Sequence, residues 1–166
     1  MNKQYFDYNE INDYDKLCLF NDKTGLFVGV VKMPEKHYFD ASAATIDGRD
    51  CIIELKSREA VLTDKMTVSG HNFNDEDLLI DNDKVADVLL EAICFGYEPL
   101  FINFLEDGHT VIHNLLHLKK RPKRYIRHSS ISKGYEEKQV RNRQGIYLCD
   151  AAIYNADGQL IKKPLN

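Results

Sequence analysis

The chain has 166 residues, of which 43% are hydrophobic and 29% charged, and it carries a formal net charge of −4. This is the length and composition of one globular domain with room for a substantial core, and no apolar run approaches the ~18 residues that a membrane-spanning helix requires. Residues 1–7 lack the basic-then-apolar layout of a signal peptide, and Cys18, Cys51, Cys94 and Cys149 are far apart with no C-x-x-C, which together point to a reducing, cytoplasmic setting. Cys51 and Cys94 fall in apolar runs and read as small core residues.

In chain order, residues 8–20 place Ile11, Tyr14, Leu17 and Cys18 at helical spacing, with Gly25 as the break. Residues 26–32 read as a strand that Pro34 ends. Residues 36–46 and 50–58 then flank Asp47-Gly48-Arg49. Asp-Gly between strand-like runs is a hairpin signal, because glycine accepts the positive φ of a tight turn. Within the second run Glu54 and Lys56 sit two apart among apolar neighbours, so on a strand they share a face. Such residues are rarely buried unless paired or ligating; a solvated Glu–Lys pair on a half-exposed strand is one account of them. A loop over 47–49 would set Ser42 opposite Glu54 and Asp40 opposite Lys56. Opposed Cβ atoms lie about 4.5–5.5 Å apart, so Asp40, Glu54 and Lys56 could then converge on one ion. A loop one residue longer or shorter would turn Asp40 to the other face.

Asp40, thirteen intervening residues, then Glu54-Leu55-Lys56 resembles the D…(D/E)-x-K signature of the PD-(D/E)XK nucleases, the restriction-endonuclease-like superfamily. The order of elements from about residue 10 to residue 116 is similar as well: helix, three meandering strands, helix, strand. Phe39 stands where the family's name has Pro, and the long segment 59–81 separates the motif strand from the next helix. The resemblance implies an α/β fold, a restriction-endonuclease-like core with a mixed β-sheet flanked by helices in αβββαβ order. It implies a metal-dependent phosphodiesterase acting on nucleic acid, in the first place DNA, with a homodimer as a compatible assembly. Mg²⁺ or Mn²⁺ would be held by Asp40, Glu54 and the Leu55 carbonyl, with Glu10 of the first helix as an added ligand, and Lys56 would orient or help deprotonate the attacking water. Glu10 is also readable as a solvated first-turn acid. The alternative is a nuclease-like module that binds nucleic acid or protein and cleaves nothing, because fold does not fix function.

After the motif, Ser57 and Arg58 read as the polar end of the strand, with contact to a phosphate as the other account, and residues 71–77 read as a solvated loop. Residues 83–95 set Val85, Val88, Leu89, Ala92 and Ile93 on one helical face, with Gly96 placed to end the helix. Lys84 lies in the first turn, against the helix dipole; the resemblance gives a lysine from this helix to the scissile phosphate, and a solvated lysine is the other account. Residues 100–105 and 110–116 form strands around an Asp107-Gly108 turn. His109, His113 and His117 would share one strand face at spacings of about 13 Å, too far apart for one ion, and read as polar-face residues. Lys119, Lys120, Arg121, Lys123, Arg124 and Arg127 put six positive charges into nine residues and leave −10 for the rest of the chain. Such a segment suits phosphate-backbone binding, with Tyr125 available to stack on a base; a solvated charged loop is the bland account. Residues 133–143 are mixed in charge, and Asp157-Gly158 makes a C-terminal β-hairpin. The organisation expected is a single nuclease-like domain, with a core over about 10–118, the basic segment 119–128 and a C-terminal extension 129–166.

Overall fold

Residues 11–62, 77–128 and 140–164 are described by a computed structural model. Helix α1 runs Asp13–Thr24. The Asn12 side chain accepts the Asp15 N–H at 2.9 Å, and Gly25, in the left-handed region, donates its N–H to the Asn21 carbonyl at 2.7 Å, so both helix ends find partners. Apolar spacing alone starts this helix too early, because it does not register the Asn12 cap. The chain continues through β1 (Phe27–Lys32), β2 (Ala41–Thr45), β3 (Asp50–Arg58), β4 (Asp77–Asp81), α2 (Asn82–Phe95), β5 (Glu98–Leu105), β6 (Thr110–Asn114), β7 (Lys123–His128), β8 (Val140–Tyr147), β9 (Ala151–Tyr154) and β10 (Leu160–Lys162).

Seven strands make the main sheet in the order β1-β2-β3-β5-β6-β9-β10, and β4-β8-β7 make a second, three-stranded sheet. The β3–β5 pair is parallel and the other described pairs are antiparallel; a parallel pair needs a crossover, which α2 supplies. This is a mixed α/β architecture in the expected helix, three strands, helix, strand order, with β4 interposed before α2. The C-terminal hairpin is present as β9–β10, and β9 docks on β6. No helix among the described residues is long and apolar enough to cross a membrane.

Strand β3 is covered on both faces. Cys51, Ile53 and Leu55 pack with Leu17 and Phe20 of α1, while Ile52 packs with Val85, Val88 and Ala92 of α2 and with Ile80 and Ile146 of the second sheet. A strand buried on both sides reads as a continuous apolar run, which is why the polar side chains that interrupt it carry information.

Four sequence expectations change. Ile93 is 68% exposed and Cys94 is exposed too. At about 100° per residue the stripe centred on Val85, Val88 and Ala92 lies roughly a quarter-turn from Ile93 and points away from Cys94. His113 is fully buried, not a polar-face residue: the face of β6 that carries it is covered by the chain at Tyr147. Its Nε2–H donates to the Tyr147 carbonyl at 3.0 Å, its ring stacks on Phe101, and burial pushes its pKa down to about 4. Asp77, assigned to a loop, opens β4; residues 71–76 of that loop, and 133–139 of the mixed-charge segment, lie outside the described residues.

Candidate active site

Asp40 immediately precedes β2, where Phe39, buried in the α2-side core, anchors the approach. Phe39 is therefore a packing residue. In the β2–β3 hairpin Ala44 pairs with Asp50 and Ala41 with Ile53, and the Thr45 N–H donates to the Arg49 carbonyl at 2.8 Å, so the register is shifted by two residues from that of the 47–49 loop read from the sequence. A shift of two preserves the face. Asp40 lies just before the last pair, Ala41 with Ile53, and acts on Glu54 instead of standing opposite Lys56; its N–H donates to the Ile53 carbonyl at 3.0 Å.

The Leu55 N–H donates to Asp40 Oδ2 at 2.8 Å. In an extended strand the N–H and C=O of one residue point to the same side, so the Leu55 carbonyl also faces Asp40. Glu54 is buried, and Lys84 from the first turn of α2 reaches it, Nζ to Oε2 at 3.3 Å; Lys84 also donates to the Tyr38 carbonyl at 3.4 Å. Burial first, then the neighbouring Asp40 carboxylate, raise the Glu54 pKa to about 7, against the opposing pull of Lys84. Lys56 is exposed at the rim, one pleat beyond Glu54. Asp40, Glu54, Leu55, Lys56 and Lys84 all line one cleft of about 510 Å³.

Two acidic groups pressed together under partial burial are what a divalent cation would relieve. Among the described residues no group of three His, Cys, Asp or Glu converges on a point. The available set is two carboxylates and one backbone carbonyl, which suits a hard cation that takes oxygen ligands and keeps several waters, as Mg²⁺ does. Glu10 lies outside the described residues.

No family model matches the chain, and no curated protein matches it. Among solved structures, the 1.6 Å structure of Hjc from Archaeoglobus fulgidus, a Holliday junction resolvase from an archaeal hyperthermophile, is similar at 16% identity and a TM-score of 0.47, over 80% of this chain and 78% of that one. The likeness is slight, and the chemistry of the cleft follows from its own side chains.

The basic segment is partly a strand. The Lys119 and Lys120 N–H groups donate to the buried Asp150 carboxylate at 3.1 and 3.0 Å, Lys120 Nζ lies 3.9 Å over the Tyr147 ring, and Arg121 is exposed. From Lys123 the chain is β7, so the period of two sends Lys123 and Tyr125 to one face and Arg124 to the other. Arg127 continues β7 opposite Arg141. The Tyr125 hydroxyl donates to Asp77 at 2.8 Å by crossing Gly145, where a Cβ would meet the Asp77 carboxylate and the Tyr125 ring.

Arg143 and Lys36 escaped the sequence reading as site residues, and Ser57 and Arg58 have partners that it did not supply. Ser57 is not a solvated strand end: it accepts from Lys16 Nζ at 2.6 Å and donates to Asp13 at 2.5 Å. Arg58 donates through Nε to Asn103 Oδ1 at 2.9 Å and through Nη2 to the Leu79 carbonyl, and burial and the nearby Arg143 push its pKa down to about 10. Arg143 arrives from β8, far along the chain, with no local motif to mark it. Lys36, in the β1–β2 connection, lines the same cleft as Asp40 and is the one non-glycine residue with positive φ among those described, at 66°.

Proposed function

We propose that the protein is a Mg²⁺-dependent phosphodiesterase acting on nucleic acid, with DNA as the first substrate to test. The observation that supports it is the convergence of the Asp40 and Glu54 carboxylates, the Leu55 backbone and two lysines, Lys56 and Lys84, on one solvent-accessible cleft. Asp40, Glu54 and the Leu55 carbonyl would hold the cation, which supplies Lewis-acid stabilisation of charge on the phosphate. The Leu55 N–H fixes one Asp40 oxygen and leaves the other for ligation. Glu54 must ionise to serve; with its pKa near 7 it gives up its proton in the range where activity is expected. Lys56, exposed beside the carboxylates, is placed to orient the attacking water or accept its proton. Lys84 favours the anionic form of Glu54 against burial and Asp40 and, with its side chain 37% exposed, can turn its ammonium to a phosphate oxygen.

Asp40→Ala, Glu54→Ala and Lys56→Ala should each abolish Mg²⁺-dependent cleavage while leaving the far-ultraviolet circular dichroism spectrum unchanged. Purified wild type that cuts neither DNA nor RNA with Mg²⁺ or Mn²⁺ would overturn the enzyme reading and leave a nucleic-acid- or protein-binding module.

A further inference from the structure

The candidate site forms the common wall of two clefts. Glu54, Lys56 and Lys84 line both; Lys32 and Lys36, with Asp13 and Glu35, also line the cleft of about 510 Å³, and Arg58 and Arg143, with Asp81, the other, of about 320 Å³. In the second cleft two guanidinium groups stand close enough to repel, Arg143 acting on Arg58 to disfavour its charge. Among the described residues the carboxylates acting on Arg58 are Asp81 and Asp13, and Asp81 is already paired with Arg143, Nε to Oδ1 at 2.9 Å. Nε and one Nη of Arg58 are engaged, whereas Arg143 donates to Asp81 through Nε, and a guanidinium carries five donors. The cleft is open at this point: the side chains of Arg143 and Asp81 are 28% and 38% exposed. Juxtaposed, incompletely neutralised guanidinium groups at an opening suit a phosphate, which two forks can grip at once.

The surface continues beyond the arginines. Asp81, Arg143 and Tyr125 are register partners across β4, β8 and β7, so their side chains share one face of the second sheet. Lys123 shares it too, its Nζ 5.1 Å from the Tyr125 ring centre.

We propose that Arg58 and Arg143 seat a phosphate next to the one cut at Glu54, so that a polynucleotide strand crosses the site from the Lys32–Lys36 side toward β7 and is cut at an internal bond. The internal cut rests on the nuclease reading; the phosphate seat does not. The carboxylates have an open cleft with cationic groups on either side, Lys32 and Lys36 beside Asp13 and Glu35 on one and Arg58 and Arg143 beside Asp81 on the other, which leaves room for a strand to pass through.

The seat is tested by binding in the presence of chelator, with the full chain and fluorescein-labelled single-stranded oligonucleotides of two unrelated sequences. Arg143→Gln should weaken both complexes about tenfold, as expected for a charge-assisted contact, and flatten the log–log salt dependence by about 0.7, one phosphate on a single strand. Arg143→Lys, which keeps the charge, should keep the slope and serves as the control for folding. The internal cut is tested with Mg²⁺ on a closed circular single strand and on its linear form, and the circle should be opened. An unchanged affinity and slope in Arg143→Gln overturns the seat, and cutting of the linear strand alone overturns the internal cut. If neither substrate is cut while the Arg143 effect on slope persists, the nuclease reading falls and the seat stands.

Discussion

Glu54 is a carboxyl group raised to about 7 from an ordinary 4.5, so the folded state holds a proton there that the unfolded chain has lost. Stability therefore declines as pH rises from about 4.5 to about 7, by at most about 3 kcal/mol at 1.36 kcal/mol per unit. His113 acts in the opposite sense: with a pKa lowered from 6.5 to about 4, it contributes stability that is lost as pH falls through that range. The two offset one another over their common window, and the wild type alone would hide both. Glu54→Gln separates them. In urea titrations without divalent metal, the stability of the variant relative to wild type should increase between about pH 4.5 and about pH 7; a difference that stays flat would mean Glu54 is not perturbed. At this scale the sequence was informative where polar side chains break an apolar run, as Glu54 does, and where a charge opposes a helix dipole, as Lys84 does. It left Arg58 as a strand end or a phosphate contact and Arg143 as part of a mixed-charge segment, because what brings the two together is a contact between remote strands.

Among the elements, β7 alters the meaning of the basic segment most. Read as a run, Lys123 and Arg124 are equivalent charges; on a strand they are opposed. If nucleic acid follows the face that carries Arg143 and Tyr125, Lys123→Ala should flatten the salt dependence of binding by about 0.7 on a single strand, or about 0.9 on duplex DNA, and Arg124→Ala should leave the slope near wild type. Equal effects from the two variants would place the contact in the exposed turn around Arg121 instead. The helices and the β2–β3 and β5–β6 hairpins were legible because periodicity and Asp-Gly turns are local signals. The second sheet was not, since β4 and β7 are joined only through β8, a pairing that no local pattern announces. The hairpin register was off by an even number of residues, so the facing of Asp40 survived the error.

For the molecule as a whole, the last hairpin is part of the main sheet. Ala151 and Ile153 of β9 are fully buried against β6, packed with Val111 and Leu148. Ile153→Ala should cost about 2–5 kcal/mol in denaturant unfolding, the range for a large-to-small change in a core; a loss under about 0.5 kcal/mol, the range of surface substitutions, would mark β9 as an appendage. The same interlock holds the second sheet near the site, with Ile80 and Ile146 in the core that also contains Ile52 and Phe101.

Lys36 illustrates a separation between what folding sees and what the cleft sees. Its left-handed backbone, φ 66°, costs a lysine about 1 kcal/mol that glycine would not incur. Glycine, however, loosens the unfolded chain by about 0.4–1 kcal/mol, so exchange between the two nearly cancels. A library of all residues at this position, sorted for folding, should therefore pass lysine and glycine alike. Sorted again for nucleic-acid binding, it should retain lysine, because the charge at the cleft rim is the one property glycine does not restore.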